Sequence, residues 1–174
     1  MKMNSIFVSL VVASGLTFSV RAADVTIKIT DVHMCCDSCV KGAQKAVATV
    51  KGATAAVDKE EKTVTLTGED KSMVQKAADA LVAAGYFGKS TDASLKISAA
   101  TGAKGKKVEY LKVQGVHLCC GKCVKAVNEA LGTVAGVKGN TAAKGVDSFE
   151  VTGEFNDQEV FDALQKAGLT GKAQ

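Results

Sequence analysis

From residue 25 the chain alternates. Val25, Ile27 and Ile29 are apolar and Thr26, Lys28 and Thr30 are polar, the period of a half-buried strand. After a short interruption Val40, Ala43, Val47 and Val50 fall at i, i+3, i+7 and i+10, one stripe of an amphipathic helix that Gly52 should stop. Ala53 to Val57 and Thr63 to Thr67 are strand candidates around the charged turn 58–62. Val74, Ala77, Ala78 and Leu81 predict a second helix ending at Gly85, with Tyr86 to Lys89 as a short last strand. The predicted order is βαββαβ.

The same pattern returns in the second half. Val124, Val127, Leu131 and Val134 repeat the first helical stripe 84 positions later. Phe149 to Glu154 answers Val64 to Glu69 at an offset of 85, and Asp162-Ala163-Leu164 answers Asp79-Ala80-Leu81 at 83. The offset shifts only where turns are expected, as an internal duplication predicts. The expectation is two small α+β units over 23–90 and 108–174, joined by a linker over 91–107. Read as a flexible coil, that linker spans roughly 20–25 Å. Alternatively, Leu95 to Ile97 extends the preceding strand.

The cysteines and histidines are not spread evenly along the chain. All six cysteines and both histidines lie in two matching octets, 32–39 and 116–123, which interrupt the pattern between first strand and first helix. Charge adds little. The net +4 divides as +2 over 1–23, 0 over 24–90, +3 over 91–107 and −1 over 108–174, so neither unit has the one-sided basic face of a nucleic-acid binder. Residues 1–22 read as a signal peptide: Lys2, then a mostly apolar run from Ile6 to Val20, then cleavage after Ala22. That run falls short of the roughly 20 apolar residues a membrane span needs. A periplasmic or secreted protein without a stable membrane span is therefore expected.

An oxidising compartment would normally suggest a disulfide framework. The spacing argues otherwise, because adjacent Cys35 and Cys36 have Cα atoms about 3.8 Å apart, below the usual disulfide range of about 4.4–6.8 Å. Thiols clustered within five residues favour metal or redox chemistry. Two cysteines at i and i+3 at a helix start converge on one ion, and the helix N-terminus favours the thiolate. Thiolates select Cu(I), Zn(II), Cd(II) or Hg(II) over hard ions. A bare pair suits linear Cu(I) or Hg(II). With Cys35 or Cys119 added, and His33 or His117 as a fourth donor, four-coordinate Zn(II) or Cd(II) becomes accessible. Three thiolates alone would also hold Cu(I).

Bland readings stand beside these. Cys35 and Cys119 also fit as small buried residues. His33 alternates with Met34, so an inward Met34 would leave His33 pointing away from the core. Asp37 and Ser38 fit as helix caps.

With the strand, the CxxC loop and the element order in place, the chain resembles the heavy-metal-associated domain family, which includes copper chaperones and periplasmic mercury-binding proteins. Met34-Cys35-Cys36-Asp37-Ser38-Cys39 meets its Met-x-Cys-x-x-Cys motif, and Leu118-Cys119-Cys120-Gly121-Lys122-Cys123 departs from it at the first residue. The resemblance implies two ferredoxin-like βαββαβ sandwiches in tandem. It also implies ligand pairs Cys36/Cys39 and Cys120/Cys123, with Met34 and Leu118 as buried props. One soft metal ion per unit and a metal transporter or acceptor protein as partner follow from it too. The family often carries Tyr or Lys after the second helix; Tyr86 fits and Leu169 does not, so unequal affinities are expected. The expected function is non-enzymatic delivery, sequestration or sensing of a soft metal.

Two rival classes remain open. A thiol–disulfide oxidoreductase would also place CxxC after a strand at a helix start. Thioredoxin-like folds need a cis-proline facing those cysteines, and this chain has no proline. An adhesive or structural module with incidental cysteines is the other.

Overall fold

The computed structural model describes residues 23–174, so the predicted leader lies outside it. The elements are β1 (Val25–Thr30), α1 (Asp37–Ala48), β2 (Thr54–Asp58), β3 (Thr63–Gly68), α2 (Lys71–Ala83) and β4 (Lys89–Ser90). They continue as β5 (Lys107–Gln114), α3 (Gly121–Leu131), β6 (Val137–Asn140), β7 (Ser148–Asn156), α4 (Asp157–Lys166) and β8 (Lys172–Ala173). Two four-stranded antiparallel sheets result, ordered β2-β3-β1-β4 and β6-β7-β5-β8. This is the strand order of a ferredoxin-like unit, with two helices to each sheet. Among the described residues no helix is long and apolar enough to cross a membrane.

Alternation makes each sheet one-sided. Ile27 faces Leu66 and Ile29 faces Val64 across β1 and β3, all buried, while the threonines between them face out. Leu111 opposite Val151 and Val113 opposite Phe149 do the same in the second sheet. The helical stripes sit slightly off their predicted centres. Ala43 and Val47 are fully buried, but Val40 and Val50 only partly. The stripe extends instead through Cys39, one turn before Ala43, and likewise through Cys123 before Val127.

The predicted last strand of the first half is displaced. Tyr86 to Gly88 leave the sheet, and only Lys89 and Ser90 pair with β1. The reason is a seam between the halves. Phe87 N–H donates to Gly168 O (3.1 Å) and Thr170 N–H donates to Gly85 O (3.0 Å), a reciprocal pair that brackets a bridge between Tyr86 and Leu169. His33 N–H also donates to Gly168 O (3.1 Å).

The segment 91–107 is not a loose coil, and it does not extend β4. Leu95 and Thr101 are buried. The Gln75 side chain exchanges two hydrogen bonds with the Lys96 backbone (2.8 and 3.0 Å), and Ala173 N–H donates to Thr101 O (2.7 Å). The strap ends on the buried Asp157, whose carboxylate accepts from the amides of Lys104 (2.8 Å) and Lys106 (2.7 Å). Burial by itself would raise this carboxyl, but those amides hold it below the usual range. A depressed folded pKa gives stability that is fully present above the unfolded value, about 4. That stability is lost as pH falls through the folded value. Asp157→Ala is therefore expected to cost about 1–3 kcal/mol at neutral pH and to flatten the acid limb. Urea unfolding of both proteins at pH 7 and pH 3 would check it.

Candidate metal centre

The thiols are placed by the junction of each first strand with its first helix. After β1 the chain turns at Asp31 (φ +60°) and passes through Val32 and Met34, both buried, and Cys36 then takes the N-cap position of α1 with β-region backbone angles. Cys120 occupies the same position of α3. Asp37 and Ser38 are thus not the caps: the helix begins at Asp37, whose carboxylate pairs with Lys59 at 2.8 Å. Cys39 and Cys123 sit one turn in, on the core-facing stripe, and are fully buried. Met34 and Leu118 are buried beneath the two loops.

Each CxxC pair closes as its spacing predicts. Cys36 and Cys39 have sulfurs 3.7 Å apart, and Cys120 and Cys123 3.8 Å. The seam brings the two trios together as well. Cys35 Sγ lies 3.4 Å from Cys120 Sγ and 3.5 Å from Cys123 Sγ, and Cys39 Sγ lies 3.4 Å from Cys119 Sγ and 3.9 Å from Cys123 Sγ. Cys36 and Cys119 are 3.7 Å apart. All six are free thiols. Two octets 84 positions apart form one cluster, where the sequence suggests two separate ones.

Four three-donor groups within this cluster are compact enough to surround an ion: His33-Cys35-Cys123, Cys35-Cys36-Cys120, Cys36-Cys39-Cys119 and Cys119-Cys120-Cys123. Three of the four draw donors from both halves. Cys35 and Cys119 thus face other sulfurs while also packing, partly buried, against the core.

The histidines separate in role. Met34 does point into its own core, so His33 points away from it; that direction is not solvent but the second half. His33 Nε2 is buried without a hydrogen-bond partner, and a ring nitrogen of His33 groups with the sulfurs of Cys35 and Cys123. An orphaned buried acceptor or donor is uncommon enough to need a reason. Burial holds this imidazole below its ordinary pKa, which favours the neutral, ligating form. His117 belongs to none of the four groups. Its Nε2 is 3.1 Å from Tyr86 Oη, and the two rings stack with centroids 4.6 Å apart. Tyr86 Oη also donates to Cys39 O (2.8 Å), so this fully buried ring ties α1 to the second octet.

The thiols are electrostatically uneven. Burial pushes Cys35 and Cys119 up. Within the coupled pair across the seam, the Cys123 thiol stabilises the Cys39 thiolate, lowering Cys39 and raising Cys123. Burial opposes ionisation of Cys120, but the amide of Cys123, the Cys35 thiol across the seam and the amide of Lys122 bring it down to about 6.

Sulfur spacing also limits coordination. With metal–sulfur bonds of about 2.3 Å, a linear ion holds its two sulfurs about 4.6 Å apart and a trigonal ion about 4.0 Å. The CxxC spacings of 3.7 and 3.8 Å fit three or four donors better than two.

No family model and no curated protein sequence matches the chain. Among solved structures it is similar to the N-terminal soluble domains of Bacillus subtilis CopA, at 16% identity, covering 87% of this chain and 95% of that one, with a TM-score of 0.32. It is also similar to the first two RRM domains of yeast poly(U) binding protein Pub1, at 11% identity over 86% and 97%, with a TM-score of 0.26. Scores this low decide nothing about the site, and the fold rests on the strand order and helix placement described above. The cysteine groups themselves are what could hold a metal ion.

Proposed function

We propose that this is a non-enzymatic, exported protein that binds copper(I) in a thiol chamber closed between its two halves, for sequestration and release to an acceptor protein. The observation that carries the reading is the convergence of all six sulfurs, with spacings of 3.4–3.9 Å across the seam. Thiolates are ligands for soft ions. Among the described residues each compact group stops at three donors, which suits trigonal Cu(I) better than tetrahedral Zn(II). Export is supported by the leader-like sequence of residues 1–22.

Release follows from the same arrangement. Cys39 and Cys123 are wholly covered, so an incoming thiolate reaches the cluster through the half-exposed Cys36 or Cys120, or after the seam opens. A closed site of this kind favours holding over rapid exchange.

Anaerobic titration of the reduced protein with Cu(I) and, separately, Zn(II), each against a chelator of known affinity, tests the reading. Cu(I) is expected to be retained and Zn(II) to be lost to the chelator. Tight Zn(II) with weak Cu(I) would replace the metal. Retention of neither, with ready formation of a Cys36–Cys39 disulfide, would turn the reading to thiol–disulfide exchange.

A further inference from the structure

We propose that the chamber holds a single polynuclear Cu(I) cluster of about four ions, bridged by thiolates and completed by one nitrogen ligand, His33. This rests on the copper-binding reading above and replaces the expectation of one ion in each half.

The four donor groups share their members sparingly. Any two of them share at most one sulfur: Cys35 joins the first to the second, Cys36 the second to the third, Cys119 the third to the fourth, Cys123 the fourth to the first, and Cys120 the second to the fourth. Groups that share a corner and not an edge surround distinct points in space. Ions at those points are separate, and every pair except the first and third is linked through one sulfur. A lone ion would leave most of these thiols without a partner metal.

The donors also balance. Four trigonal ions need twelve metal–ligand bonds. Five cysteines that each bridge two groups supply ten, Cys39 supplies one as a terminal ligand, and His33 supplies the last. The seven residues are used up with none left over. Counted from six neutral thiols, loading exchanges six protons for four Cu(I) ions and leaves the cluster with a charge of −2; a thiol already ionised releases no proton, His33 binds as neutral imidazole and no electron is transferred. His33, whose Nε2 is buried and unpartnered, is the third member of the group that would otherwise have only two sulfurs, whereas His117, hydrogen-bonded to Tyr86, belongs to none of the four. The two halves, alike in their octets, thus contribute unlike ligand sets.

The test is made on the full reduced chain, loaded anaerobically from a Cu(I)–chelator complex. Copper per chain is read by native mass spectrometry, and the copper environment by X-ray absorption. About four ions per chain, with a copper–copper scattering shell and mostly sulfur neighbours, is the expected result. His33→Ala should lower the count to about three and remove the nitrogen contribution, while Lys41→Ala, exposed on α1 and outside every donor group, should leave both unchanged. Saturation at one or two tightly held ions without a copper–copper shell would overturn the cluster and leave copper binding standing. A chain that surrenders all its copper to the chelator would overturn both. Should either variant fail to fold, the count and the scattering shell of the unsubstituted chain decide the matter.

Discussion

Gly168→Ala is expected to part the two halves and to abolish the shared thiol chamber while leaving both sheets intact. Gly168 has φ +77°, a conformation that costs an L-residue roughly 1–2 kcal/mol. A Cβ built there would lie 2.4 Å from His33 N and 2.5 Å from Asp31 O, both backbone atoms of the other half. Neither can move as a side chain would. The carbonyl of Gly168 meanwhile accepts from both His33 and Phe87, so displacing it loses two seam hydrogen bonds together. The compliant element is the seam, because each sheet is held by its own strand ladders. Gly85→Ala should act alike, since its Cβ would meet Gly115 O at 2.4 Å and His117 N at 2.6 Å. Gly121→Ala, with open space around its Cβ, serves as the control. Small-angle scattering should show a larger radius of gyration for the first two variants, and copper capacity should fall to what isolated CxxC pairs retain. An unchanged radius and capacity would mean that the seam does not hold the chamber together.

The second large effect is expected from Cys35→Ser combined with Cys119→Ser. Every one of the four three-donor groups contains one of these two residues, so the double variant leaves no complete group. Only the CxxC pairs remain. Losing direct ligands should weaken Cu(I) binding by more than the about 10–100-fold typical of losing an outer partner. Both residues are only partly buried, so the fold should change by less than about 1 kcal/mol and circular dichroism should remain native. Chelator competition measures the outcome. Retained affinity and capacity would return Cys35 and Cys119 to the status of small packing residues.

Much of this molecule is written locally along the chain. The alternation from Val25 to Ile29 and from Val64 to Leu66 determined which strand faces are buried. The spacing of Ala43, Val47, Val127 and Leu131 determined the helices that cover them, and glycines end or follow those helices. The i, i+3 spacing of each CxxC pair at a strand–helix junction determined that its two sulfurs meet. All of these depend on period and on nearest neighbours, so sequence alone carries them.

What the tertiary structure decided is where the second trio lies. Local periodicity contains no information about which surfaces of two similar units will meet, and the seam is made largely by backbone groups of Gly85, Phe87, Gly168 and Thr170, whose side chains announce nothing. Once that seam closes, His33, turned away from its own core by the strand pleat, becomes buried against Cys35 and Cys123. Cys39 and Cys123 join the core because a helix turn puts them on the same face as Ala43 and Val127, and the spacing to those residues was the signal that could have revealed it. The strap over 91–107 is polar enough to read as loose, yet buried Asp157 and Gln75 hold its backbone through hydrogen bonds that composition does not encode. The sequence by itself determined two sets of thiols on like scaffolds; the packing of those scaffolds, driven by long-range backbone complementarity, decided that they make one site.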